Sequence, residues 1–217
     1  MSLVEYTDIK IEENNEPLVD LSIFNFHLEP KYFQEGLSNE SKIFIRRGLA
    51  LKLEQIQKKL VNYRFKVWDG YRSRQEQNNI YQKYYNKLLK KHPDWSQKKI
   101  RLETGKFVSP PFDKKRIPLH TSGGSIDLTL VNKDGQELNM GTEFDFFGLE
   151  AAPLFYEKKD SNSKIAKNRK LLRQAMLTEG FSMDKDEWWH FDFGNQIWAL
   201  NKNKPVAFYG EANNKNI

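Results

Sequence analysis

The chain contains no cysteine, and that absence constrains its fold more than any other count. No disulfide, iron–sulfur cluster, thiolate zinc site or cysteine nucleophile can be built, so 217 residues must be held together by an ordinary core. The material for one is present: 38% of residues are hydrophobic, including 15 Phe, 9 Tyr and 5 Trp, too much large apolar surface for a disordered chain. A chain of this length buries roughly 70% of its unfolded surface, which favours one domain over two half-size ones. Basic residues outnumber acidic ones by 35 to 29. Glu5, Asp8, Glu12 and Glu13 interrupt any apolar stretch near the N-terminus, so no secretory signal pattern is visible, and no apolar run is long enough to span a bilayer. A cytoplasmic location without membrane partners is the expectation, with export by another route left open.

Hydrophobic periodicity divides the chain. Residues 1–40 show no sustained helical period and read as an arm with short strands packed on the domain. Residues 41–210 form the domain itself, and 211–217 a C-terminal tail. Ile43, Ile45, Leu49, Leu51, Leu53, Ile56, Leu60 and Val61 approximate one helical face, predicting a helix over 41–62 with Ser41 as its cap. Arg64 to Trp68 alternates and stops at Asp69-Gly70, a strand ending in a turn. Helices are predicted over 73–91 and 94–104, a loop over the Pro-rich 105–118, and a strand over 125–131 that turns at Asn132-Lys133-Asp134-Gly135 into a hairpin partner at 136–140. After an irregular stretch over 141–162, Ile165 to Met176 outlines a helix closed by Gly180. Residues 187–193 and 196–200 read as paired strands. The fold class is α+β, helices on a small, mainly antiparallel sheet.

Only four histidines are available: His27, His92, His120 and His190. A lone histidine is ordinarily structural, so context decides. His120 precedes Thr121-Ser122-Gly123-Gly124-Ser125-Ile126-Asp127, where paired glycines permit a tight turn and close backbone approach. The strand that follows turns Asp127 away from apolar Ile126 and Leu128. A carboxylate in an apolar strand is costly unless paired or bound to metal, although a turn-stabilising aspartate fits that segment equally well. In Glu187-Trp188-Trp189-His190-Phe191-Asp192-Phe193, His190 shares a face with Trp188 and Asp192, opposite Trp189 and Phe191. Glu187 lies at an odd offset from His190, so both reach one site only if the chain turns or bulges near Trp188. His120, Asp127 and His190 make a nitrogen, oxygen, nitrogen set suited to one Zn²⁺ per chain with a position open to water, and Glu187 is then the proton handler.

These residues resemble those of the VanX-type D-alanyl-D-alanine dipeptidases, zinc peptidases of the wider D-alanyl-D-alanine carboxypeptidase and Hedgehog-like group. The resemblance rests on Trp68-Asp69-Gly70-Tyr71-Arg72, on His120-x-x-Gly123-x-x-x-Asp127-Leu128-Thr129-Leu130, on Met140-Gly141 with Phe144-Asp145-Phe146, and on Glu187-Trp188-Trp189-His190. It implies that His120, Asp127 and His190 bind zinc, that Glu187 is the catalytic base and that Arg72 stabilises the transition state. It further implies that Asp145 meets the substrate ammonium, and that the substrate is the small dipeptide D-Ala-D-Ala. Two positions depart from the family pattern: Pro118 stands where a serine is common, and Ser73 where proline usually follows the arginine.

Two other functions compete. A zinc D,D-carboxypeptidase or endopeptidase acting on larger peptidoglycan peptides shares the metal chemistry. A nucleic-acid-binding module draws on residues 81–116, where 11 basic residues face 3 acidic ones and Tyr81, Tyr84, Tyr85 and Trp95 offer stacking surfaces. Lys-rich helices are usually solvated faces with buried stems, so no nucleic-acid partner is expected. Self-association into a homo-oligomer is left open.

Overall fold

In the computed structural model, which describes residues 5–113 and 116–212, alternation in one strand organises the rest. That strand, β6 (Ser125–Asn132), is the centre of a five-stranded sheet. On one side lies β5 (Tyr63–Asp69), itself flanked by β3 (His27–Leu28); on the other lie β8 (His190–Asp192) and β7 (Ser182–Met183). Within this sheet only the β3–β5 pair is parallel. Ile126, Leu128 and Leu130 point to one face with Phe65, Val67 and Phe191. There they join a single cluster with Leu49, Leu53 and Ile56 of helix α2 (Arg47–Lys59) and Leu172 and Met176 of α6 (Lys164–Thr178). Fully burying side chains of this size contributes about 1.5–3 kcal/mol each, which supplies the core that cysteine cannot. The opposite face carries Asp127, Thr129 and Ser125, also buried. Burying those polar groups requires partners, and the site is built there.

The arm is stitched into this frame. Its strands β1 (Lys10–Ile11), β2 (Leu18–Asp20) and β3 pair respectively with β9 (Val206–Ala207), β4 (Phe44–Arg46) and β5. The short helix α1 (Lys31–Gln34) then buries Tyr32. Of the expected tail, residues 213–217 lie outside the described residues. Among the described residues no helix is long and apolar enough to cross a membrane.

Three local expectations are corrected. The helix predicted over 41–62 begins only at Arg47, because Phe44–Arg46 pairs with β2. Ile43, Phe44 and Ile45 are all buried, and the partner strand that decides their conformation is remote in sequence. Residues 196–200, expected as a strand, form helix α7 (Gln196–Asn201). The reason is local and tertiary together: Gly194 turns the chain with φ 76°, the Asn195 side chain accepts from the Trp198 N–H at 3.0 Å as an N-cap, and both edges of β8 are already taken by β6 and β7. The hairpin partner at 136–140 reduces to a bridge between Val131 and Glu137. Here the Asn132 carboxamide accepts from the Asp134 and Gln136 N–H groups and closes the turn.

The remaining helices follow their caps. Helix α3 (Arg74–Lys91) starts with a capping box in which Ser73 Oγ accepts from the Glu76 N–H at 3.2 Å and Glu76 Oε2 accepts from the Ser73 N–H at 2.7 Å. Ser73 thus anchors the helix start through its side chain. Ser96 caps α4 (Gln97–Thr104), its hydroxyl accepting from the Lys99 N–H, so this helix starts three residues after the predicted 94. A short α5 (Phe155–Lys159) lies within the stretch expected to be irregular.

Gly70 shows how tightly β5 runs into the site. A Cβ there would sit 2.5 Å from the Phe44 carbonyl oxygen and 2.8 Å from a methyl of Ile45. Gly70→Ala is therefore expected to lower stability by about 1–3 kcal/mol, the usual scale for overpacking, measured as a fall in the urea midpoint at unchanged slope. An unchanged midpoint would mean that β4 and β5 are less closely apposed than described.

Candidate metal centre

Sheet register alone brings the first groups together. Asp127 of β6 lies opposite Asp69 of β5 on one side and His190 of β8 on the other. One row of three acidic or imidazole side chains therefore crosses three strands on the polar face. His120 arrives from outside the sheet, on a 3-10 turn (Leu119–Ser122) that Gly123 ends in the left-handed region at φ 67°. The Gly123-Gly124 pair is needed for contact as well as conformation. A Cβ on Gly124 would lie 2.5 Å from the Phe193 carbonyl oxygen, and one on Gly123 2.6 Å from Leu18.

The ring nitrogens are oriented by what lies behind them. His120 Nδ1 is 2.6 Å from the Gly70 carbonyl oxygen, an acceptor only, so Nδ1 carries the hydrogen and Nε2 presents its lone pair to the site. His190 Nε2 is 3.1 Å from Asp192 Oδ1 and donates to it, leaving Nδ1 free to face inward. His120 Nε2 and His190 Nδ1 are 3.2 Å apart. Asp127 Oδ1 is 2.9 Å from His190 Nδ1, and its Oδ2 is 3.4 Å from His120 Nε2. Three electron-pair donors, all buried and within 4.8 Å of one another, thus converge on one point. Such a group repels itself unless a cation sits among it. Carboxylate and carbonyl partners behind the imidazoles are the usual backing of metal-ligating histidines, and a nitrogen–oxygen–nitrogen set suits Zn²⁺.

The electrostatics agree. Burial works to raise the Asp127 carboxyl, but His120 and His190 outweigh it and hold the group well below the ordinary carboxylate range. Burial likewise pushes the His190 imidazolium down, and Asp192 and Asp127 reverse this, raising it well above its usual value. The site therefore holds a proton tightly when it holds no metal, and metal binding must displace it.

Around this centre stand the other predicted residues. Arg72, buried, donates from Nε to Asp69 at 2.5 Å, from Nη1 to Gln77 at 3.1 Å and from Nη2 to Asp127 at 3.3 Å. Glu187 reaches the same cleft by the turn that its offset demanded. The Asp184 carboxylate accepts from the Asp186 and Glu187 N–H groups, and the regular strand begins only at His190. Burial raises the Glu187 carboxyl to about 8, with His190 opposing. Asp145 adopts a left-handed conformation with φ 58°, and burial raises its carboxyl to about 7. Its loop is fixed from behind by Arg169 of α6, which donates to the Met140 and Ala152 carbonyl oxygens at 2.6 and 2.8 Å. All six predicted site residues line one cleft of about 450 Å³, walled on its apolar side by Val108, Phe147 and Ala151.

Sequence reasoning missed Tyr32, Asp69, Gln77 and Asp192. Tyr32 comes from the arm, lies under the Arg72 guanidinium at 4.8 Å and donates its hydroxyl to Asp145 at 3.0 Å; no local pattern marks it. Asp192 did carry a signal, since it shares a strand face with His190 two residues before it.

Comparison with known proteins places the chain as a whole. Residues 39–207 match the M15 peptidase family described as D-Ala-D-Ala dipeptidase. A D-alanyl-D-alanine dipeptidase of Synechocystis is 25% identical over 96% of both chains. One of Enterococcus faecalis is 30% identical over 66% of this chain and 69% of its own. Among solved structures, VanYB in complex with D-alanine-D-alanine covers 92% of this chain and 94% of its own at 12% identity, with a TM-score of 0.47. With the family match running through all four sequence blocks and the row of donors they deliver, this chain belongs to the D-Ala-D-Ala dipeptidase family of M15 peptidases.

Proposed function

We propose that the protein hydrolyses the dipeptide D-Ala-D-Ala, with His120, Asp127 and His190 holding one Zn²⁺ and Glu187 moving the proton. The single observation that carries this reading is the convergence of His120 Nε2, His190 Nδ1 and the Asp127 carboxylate on one point beside Glu187 and Arg72. Zn²⁺ held there supplies Lewis acidity, polarising a peptide carbonyl and lowering the pKa of water from roughly 16 to about 7.

The chain's own residues do the rest. Glu187 takes a proton from the attacking water on a carboxylate oxygen and returns it to the leaving amide nitrogen, which departs as an amine. A carboxyl whose surroundings hold its pKa near neutrality suits both transfers. Arg72 faces the carbonyl oxygen on which negative charge develops, a contribution of order 3 kcal/mol by analogy with a single oxyanion donor. Tyr32, Asp69 and Gln77 fix the guanidinium from three sides, so no reorganisation is required when charge appears. Asp145, at the far side of the cleft, receives the substrate ammonium. The volume of the cleft lies at the lower end of the range for small-ligand sites, which supports a small peptide over a polymer. A D,D-carboxypeptidase acting on longer peptides is the second reading, favoured by the shared metal chemistry. Assays of D-Ala-D-Ala beside longer and L-configured peptides, with and without chelator, separate the two.

Glu187→Ala is expected to bind zinc like the wild type and to lose about 10²- to 10⁴-fold in kcat, whereas His120→Ala and His190→Ala are expected to lose the metal itself. Zinc stoichiometry beside turnover checks this, and equal metal loss in all three variants contradicts the assignment. Arg72→Lys keeps the charge but loses the planar fork, so kcat should fall about 10²-fold with zinc retained; wild-type turnover would remove Arg72 from the mechanism. Because burial raises the Asp145 carboxyl to about 7, its charged form is lost as pH falls through that value. KM for D-Ala-D-Ala should accordingly rise between pH 7 and pH 5, approaching about tenfold per pH unit, and Asp145→Asn should flatten that dependence while raising KM throughout. A steep dependence that survives in Asp145→Asn assigns the titration elsewhere.

A further inference from the structure

We infer that Asp192 is a positioning residue for the metal, setting the orientation and donor strength of His190 and balancing the cation's charge. The inference rests on His190 being a ligand, as proposed above.

Four observations carry it. First, Asp192 Oδ1 lies 3.1 Å from His190 Nε2, on the side of the ring away from the convergence point, so it selects the tautomer whose Nδ1 lone pair faces inward. Second, Asp192 is itself held. Ser125 Oγ donates to Oδ1 at 2.7 Å and Asn195 Nδ2 at 2.7 Å, and Asn195 also donates to Ser125 Oγ at 3.0 Å. Third, the register that places Asp127 opposite His190 places Ser125 opposite Asp192. The ligand row and the supporting row are therefore successive rungs of one ladder, and neither can shift without the other. Fourth, three donors converge on Oδ1, whereas Oδ2 is buried with no partner among the described residues. A buried carboxylate left with a bare oxygen is costly, and a general stability role would be better served by an amide or an apolar side chain.

Charge balance gives the bare carboxylate its reason. Asp192 is 1% exposed and Asp127 2%, so their two negative charges sit in a low-dielectric interior beside two histidines. Arg72 is already matched by Asp69 at 2.5 Å. A divalent cation bound by neutral His120 and His190 finds negative charge in Asp127 and, behind the His190 ring, in Asp192, with Glu187 beside them in the cleft. Removing the Asp192 charge lowers the negative potential behind His190, which disfavours the metal. Hydrogen bonding of the Nε2–H to an anion also makes Nδ1 a stronger donor.

The test uses the full chain, stripped of metal and titrated with Zn²⁺ against a chromophoric chelator. Asp192→Asn keeps shape and an acceptor for the Nε2–H but removes the charge, and the zinc dissociation constant should rise about tenfold. Asp192→Ala removes both, and the rise should approach about 100-fold, the span for loss of such outer partners. Substitution with Co²⁺ adds a spectroscopic readout: the visible ligand-field bands should shift in both variants, which a role confined to folding would not cause. Thermal melting of the metal-free proteins is measured in parallel. A lower metal-free melting temperature with zinc affinity within twofold of wild type would overturn the inference and leave Asp192 as a structural residue. Should Asp192→Ala fail to fold, Ser125→Ala, which loosens Asp192 without touching its charge, is expected to weaken zinc a few-fold, and unchanged affinity in it and in Asp192→Asn is again decisive against. Absence of stoichiometric zinc binding by the wild type would instead refute the metal-centre reading itself.

Discussion

The whole site depends on the register between three strands. Asp69, Asp127 and His190 are neighbours only because β5, β6 and β8 are aligned as they are, and a slip of one residue would turn every one of them into the apolar core. A bulge makes the alignment work. Val67 lies opposite Leu128, but the next pair is Asp69 with Asp127, so Trp68 is the extra residue. In an unbulged ladder Trp68 would face Asp127. As it is, Trp68 packs against Phe144 and Trp188, and Asp69 is left to meet both Arg72 and His120. The added residue re-aims one strand end, as bulges beside sites commonly do.

From that register follows a division of labour between the two faces of one strand. The Ile126–Leu128–Leu130 face anchors β6 in the main cluster, which fixes the backbone from which Asp127 and Ser125 project. Rigidity at the core is thereby converted into fixed donor positions on the polar side. The imidazoles are then aimed by acceptors that lie on the same framework: the Gly70 carbonyl at the end of β5 and the Asp192 carboxylate on β8. Because these partners are backbone or strand-borne, the convergence of lone pairs is prepared by folding, ready for the proposed cation.

Much of this was legible in the residues, for identifiable reasons. Alternation over Ser125 to Val131 gave both the strand and the side on which Asp127 lies, and the odd offset of Glu187 correctly demanded the turn that Asp184 supplies. Where local pattern failed, a remote partner had decided. Phe44–Arg46 has the periodicity of a helix but pairs with β2; Gln196–Asn201 alternates like a strand but has no free strand to join and is capped by Asn195. The Trp68 bulge leaves no mark on a single strand, since it exists only relative to β6. Tyr32 was invisible for the same reason, its role arising from a segment that lies next to the site only after the arm has docked.

The docking of the arm is bound up with the geometry of the His120 turn through Arg46. Its buried guanidinium donates to the Ser122 carbonyl beside His120, to the Glu16 carbonyl and the Glu13 carboxylate of the arm, and to the Gly210 carbonyl near the other end of the chain. Glu16 in turn accepts from the Gly48 N–H and the Tyr209 hydroxyl. Five planar donors in a fixed fork suit such a junction, which a lysine could not replicate. One cation therefore ties both ends of the chain to the turn that delivers His120, while Tyr32 carries the arm to Arg72 on the opposite side. Placement of His120 in this protein is thus tied to the entire chain, and the arm, which carries none of the four family blocks, belongs to the physical apparatus that holds the proposed ligand set in place.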